Sequence, residues 1–198
     1  MKVDFSFYLV ILLAIFSRQV EVYLTYLIAI LIHECGHLSF ATLFKWKIES
    51  FRLTAIGGFL TFENDLSKPM FQSFFVALGG VVFNFIFAAV LIGMGGPASL
   101  IYTQFAIAFF NLLPIAPLDG SKLLQAVLNQ IAGYKKTLDI LKVTNMVFLS
   151  VFALAVWSLR LEQYFIVVIV LAVLVGRFQG SVPYIYERYK IQKTFNCK

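Results

Sequence analysis

The chain has 198 residues, of which 61% are hydrophobic and only 13% charged, and its 16 Lys and Arg against 10 Asp and Glu give a net charge of +6. A soluble domain is nearer half apolar and a quarter charged, so this composition, with a mean hydropathy of +0.88, excludes an ordinary soluble enzyme and implies an integral membrane protein. The basic excess does not imply a nucleic-acid partner, because the Lys and Arg gather in segments flanking apolar runs, the pattern that orients spans in a bilayer.

In chain order, the first apolar run is Phe5–Phe16. It is short and is expected to extend at both ends into an uncleaved first span, since one lysine precedes it and no small-residue cleavage site follows. The second span is Val20–Phe44, and it contains both histidines of the chain. Lys45–Lys68 is polar by comparison. Within it Phe51, Leu53 and Ala55 alternate with polar residues, then come Gly57-Gly58, Phe59 and Thr61. Gly-Gly between short alternating runs predicts a β-hairpin between the second and third spans; the alternative is an ordinary loop. The third span is Met70–Met94 and the fourth Ser99–Ala116, with Pro114 and Pro117 at its end. Gly120–Ala132 mixes polar and apolar residues, as a short surface helix does. The fifth and sixth spans are Leu141–Leu159 and Tyr164–Val175.

The expected architecture is therefore an all-α polytopic membrane protein of six transmembrane helices with one small β-hairpin. Residues 1–176 form the membrane domain and 177–198 a basic juxtamembrane tail. With the N-terminus inside, 14 Lys and Arg fall in inside segments and 2, Arg18 and Arg160, in outside ones. That asymmetry supports six spans with both termini cytoplasmic. The tail, with Tyr184, Tyr186 and Tyr189 among basic residues, reads as an interfacial anchor on anionic lipid or as a partner-binding element. Cys35 and Cys197, the two cysteines, make no disulfide framework.

The chemistry concentrates in His33-Glu34-Cys35-Gly36-His37. Histidines four apart lie on one face of a helix, one turn from each other, where both imidazoles can reach one metal. Neutral imidazoles suit Zn²⁺, and Glu34 beside them suits a general base toward water. Cys35 points to other faces and is read as a small packing residue. A Glu at mid-span costs on the order of 2.5–3.5 kcal/mol to insert, so an unused one is disfavoured. The alternative is a hydrogen-bonded polar cluster that joins helices.

A catalytic zinc commonly has three protein ligands and one open position. No third histidine exists, so a carboxylate is sought, and Asp119 stands at the cytoplasmic end of the fourth span at the depth of His33 and His37. Pro114, Pro117 and Gly120 break the helix there and free backbone groups that must be buried or line a cavity. Alternatively, Asp119 only caps the helix that follows.

His33-Glu34-Cys35-Gly36-His37 together with Asn111-Leu-Leu-Pro114-Ile-Ala-Pro117-Leu118-Asp119-Gly120 resembles the site-2 protease family of intramembrane zinc metalloproteases, most of all the branch typified by the stage IV sporulation protein FB. The resemblance implies that His33, His37 and Asp119 bind one Zn²⁺ per chain and that Glu34 is the general base. Gly80-Val81-Val82-Phe83-Asn84 matches that family's Gly-Pro-x-x-Asn, with Val81 in place of Pro, and Ser121 stands where the family has a second Gly after Asp119. Asn84 would face the site, holding substrate or its oxyanion, or would serve as a helix–helix hydrogen bond. The sporulation protein's nucleotide-sensing domain is not expected here.

The expected function is hydrolysis of a peptide bond in or beside a membrane segment of a membrane-anchored protein or peptide, near the cytoplasmic face, as in regulated intramembrane proteolysis. Asn84, Asn111, Gly57, Gly58 and Phe59 are the expected substrate contacts, the last three through strand addition to the hairpin. The lipid bilayer is the other partner, with an inhibitory membrane protein of unknown identity as a further one. The expected location is the bacterial cytoplasmic membrane. Two other classes fit intramembrane His and Glu: a non-catalytic relative that holds a membrane client, and a metal or ion transporter. A transporter would carry ionisable residues along other spans, and these are almost absent.

Overall fold

The structure, a computed structural model, describes residues 2–54, 57–63, 68–158, 160, 172–173, 175–177, 179–180, 182 and 185–186. Its elements are strand β1 (Lys2–Val3), helices α1 (Phe5–Phe16) and α2 (Val20–Leu43), strands β2 (Ile48–Thr54) and β3 (Gly57–Phe62), and helices α3 (Met70–Gly93), α4 (Ala98–Asn111), α5 (Asp119–Ala132) and α6 (Tyr134–Ser158). By contacts the chain divides into two units, one of residues 1–65 and 75–110, the other of residues 66–74 and 111–198.

Among the described residues, three helices are long and apolar enough to cross a membrane: α2, α3 and α6. At 24 or 25 residues each reaches about 36 Å, more than the roughly 30 Å of hydrocarbon. Helix α4 is a shorter apolar helix. The sixth expected span, Tyr164–Val175, falls almost wholly outside the described residues.

Three boundaries differ from expectation by several residues, the first being that α6 begins at Tyr134 and not at Leu141. Helix α1 stays at 12 residues, about 18 Å, because Arg18 turns the backbone to φ 57° just past its end. Helix α4 stops at Asn111 rather than at residue 116. Pro114 has no N–H and its ring would strike the carbonyl four residues back, so the helix cannot run through it.

The hairpin is present. Strands β2 and β3 pair antiparallel, Thr54 opposite Gly57 and Phe51 opposite Leu60, with an irregularity between Ile48 and Ser50. Gly57 and Gly58 are therefore the first residues of β3, not the turn. Strand β1 adds a parallel third strand, Lys2 opposite Arg52, giving the order β1-β2-β3. The end of the hairpin is tied down by Trp46 and Phe62, edge to face at 5.4 Å, in a cluster with Ala41 of α2 and Val76 of α3.

In the same unit α2 and α3 meet backbone to backbone. A Cβ on Gly36 would lie 2.5 Å from the carbonyl carbon of Gly79 and 2.9 Å from the Cα of Gly80. These neighbours are main chain and cannot rotate aside. Gly36→Val should therefore force the helices apart, at a cost of about 1–3 kcal/mol or more, read as a lower thermal unfolding midpoint in detergent. A midpoint equal to that of the native chain would refute this packing.

In the second unit, Leu112–Leu118 folds back between α4 and α5. Ile115 and Ala116 are buried, and the Ala116 N–H donates to Asn145 Oδ1 of α6 at 2.9 Å. Asn145, itself fully buried, thus supplies the acceptor for a backbone N–H that the helix break leaves without an intrahelical partner. Gly120 is obligatory here too, since a Cβ would lie 2.5 Å from the Leu112 carbonyl carbon.

Candidate metal centre

Helix α2 places His33 and His37 one turn apart, and both are buried. Their ring centroids are 4.7 Å apart and the planes are perpendicular. Each Nδ1 is already committed. That of His37 lies 2.7 Å from the backbone carbonyl of Val76, which can only accept, so His37 Nδ1 carries its proton. That of His33 lies 2.7 Å from Asn84 Oδ1. The Asn84 amide is oriented by its other end: Nδ2 donates to the carbonyl of Ala29 at 3.0 Å and to Gln104 Oε1. The oxygen therefore faces the ring and accepts from His33 Nδ1–H.

With both Nδ1 atoms protonated, neutral rings turn their Nε2 lone pairs toward each other, 3.1 Å apart. Two lone pairs repel at this distance unless a cation lies between them. Two nitrogens about 2.0–2.1 Å from a tetrahedral zinc would stand about 3.3 Å apart, close to what is found. Gly80 leaves the space: a Cβ there would lie 2.7 Å from both Nε2 atoms. The donor set and the cradle fit a zinc ion.

Asp119 is the first residue of α5, and Leu118 occupies the capping position without a side-chain cap bond. Asp119 is buried, sits in the first turn where the helix dipole favours negative charge, and takes a hydrogen bond from Lys122 Nζ at 3.1 Å. His33 and His37 of the first unit and Asp119 of the second are each buried, and each offers one atom able to ligate a metal ion.

Glu34 follows His33 directly and is half-buried. Cys35 is exposed, so it does not pack in the interior. Asn84 is fully buried, its amide engaged on His33, Ala29 and Gln104. Asn111, the last residue of α4, is half-buried. Gly57, Gly58 and Phe59 lie in β3. The sequence reading passed over Gln104, which is fully buried; an amide in the middle of an otherwise apolar helix was the available signal.

The sequence pattern of Peptidase family M50 matches residues 22–100 and 97–156, and the chain belongs to that family. It is 26% identical over 195 residues to the stage IV sporulation protein FB of Bacillus subtilis, covering 92% of this chain and 67% of that protein. It is 29% identical over 125 residues to a zinc metalloprotease of Methanocaldococcus jannaschii, covering 57% of this chain and 36% of that one. The chain thus spans about two thirds of the first relative's length and about a third of the second's. The fold is that of the site-2 protease of Methanocaldococcus jannaschii, with a TM-score of 0.69 at 20% identity over 89% of each chain.

Proposed function

We propose that the chain is an intramembrane zinc endopeptidase that hydrolyses a peptide bond in or next to a membrane segment of a membrane-anchored protein or peptide. The observation that carries this reading is the pair of Nε2 atoms of His33 and His37 held 3.1 Å apart, with Glu34 on the same helix between the two histidines. His33, His37 and Asp119 hold the metal. Zinc, when bound, lowers the pKa of water and polarises a peptide carbonyl. Glu34 takes the proton from water and passes it to the leaving amine.

A scissile helix must unwind first, because its carbonyls are already hydrogen-bonded within the helix. Strand β2 has β1 on one side and β3 on the other. Strands β1 and β3 are the two edges among the described residues; β1 is only two residues long, so β3 is the longer edge, and an extended substrate can add there along Gly57–Phe59. Asn111 is read as a further substrate contact.

The basic-residue asymmetry supports six spans with both termini cytoplasmic in a bacterial cytoplasmic membrane, with residues 177–198 as a juxtamembrane tail. Membranes containing the chain and tagged single-pass proteins should yield a shortened fragment that disappears on zinc chelation and returns when zinc is restored. A fragment that persists in chelator, or no fragment from any membrane protein across the whole membrane proteome, would overturn the proposal.

A further inference from the structure

Unloaded, the two histidines have a competing arrangement. If either ring moved its proton from Nδ1 to Nε2, that Nε2–H would donate to the other Nε2 at 3.1 Å, closing the pair into a hydrogen bond that excludes a metal. What opposes this is the acceptor facing each Nδ1, which would then confront a lone pair. For His37 the acceptor is main chain, Val76, and no side-chain change can remove it. For His33 it is the Asn84 side chain.

We propose that Gln104 and Asn84 act as a pair of positioning residues that hold His33 in the tautomer able to bind metal; this rests on the zinc reading above. Both N–H groups of Asn84 are used, one on Ala29 and one on Gln104 Oε1, so only its oxygen remains for His33. Gln104 itself is fully buried, and its Nε2 has no hydrogen-bond partner among the described residues. A buried amide with one end unsatisfied is retained here for its oxygen. The relay thus runs Gln104, Asn84, His33 across α4, α3 and α2, and the Ala29 carbonyl it also clasps lies one turn before His33 on the same helix.

The test is zinc affinity of the full chain in detergent, by competition with a chelator, together with the visible absorption of the cobalt(II)-loaded protein. Asn84→Leu should lose about 10–100-fold in affinity, the usual effect of removing a partner of a ligating histidine. Gln104→Met, which leaves Asn84 in place and guards against a misfolded Asn84→Leu, should lose less in the same direction. Gln104→Glu, whose carbonyl oxygen accepts the same bond, should restore affinity and the cobalt spectrum. A purely structural role would lower thermal stability and leave the metal affinity of the folded protein unchanged, and that result for both Asn84→Leu and Gln104→Met would overturn the proposal. Loss in Asn84→Leu alone would remove Gln104 from the relay. A wild-type chain that takes up neither metal would overturn the zinc reading, and the relay with it; wild-type loading with unchanged variants would overturn the relay only.

Discussion

Glu34→Gln should hold zinc as the native chain does and cleave at least about 10²-fold more slowly, toward the 10²–10⁴-fold that general acid–base catalysis contributes. The two halves of the result have different causes. His33, His37 and Asp119 are unchanged, and the Nδ1 bonds that orient the rings go to Val76 and Asn84, so the donor set survives. Glutamine matches glutamate in shape but cannot take a proton from water. Glu34 lies about 100° around the helix from His33, so it flanks the ligand face without belonging to it. Metal analysis and a membrane cleavage assay on the same preparation check both halves. Cleavage at the native rate would refute the general-base role. Loss of zinc along with cleavage would make Glu34 part of the metal's support instead.

How far the sequence speaks depends on whether a feature is local. The metal pair is local: His33 and His37 share a helix face by spacing alone, and the apolar surroundings make an idle Glu34 expensive. The hairpin was legible from alternation around Gly57-Gly58, but these two glycines open β3 and do not form the turn. Pairing register is decided by where Phe62 can reach Trp46 and Val76, and no local pattern records that. Strand β1 is two residues long, far too short for a periodicity, and exists only because β2, some fifty residues on, offers it an edge. The end of α4 was placed at the last apolar residue when the steric demand of Pro114 acts earlier. Asp119 could be found because three helix breakers surround it. Asn145 and Gln104 could not be assigned partners, since a single amide in an apolar helix says that a hydrogen bond exists and not where it goes.

Gly80→Ala should abolish zinc loading while leaving the metal-free fold standing. The added methyl would sit 2.7 Å from Nε2 of both His33 and His37 and 2.6 Å from His33 Cε1, in the space where the ligand atoms converge. Rings are normally the part that gives way, but here each is tethered at Nδ1 by a 2.7 Å bond. Swinging aside would sacrifice one or both, at about 0.5–1.5 kcal/mol for each neutral hydrogen bond. Against that, Ala is about 0.8–1.0 kcal/mol better than Gly in a helix interior. The two terms nearly offset, so the melting point of the metal-free variant should stay close to that of the metal-free native chain. The metal has no such compensation, because a cation cannot share its place with a methyl group, and the stabilisation that zinc gives the native chain should vanish. Gly36→Val makes the contrast: it strikes backbone only, and should lower stability with or without metal. Should Gly80→Ala instead load zinc and cleave normally, the metal would have to lie away from the point where the two Nε2 atoms meet.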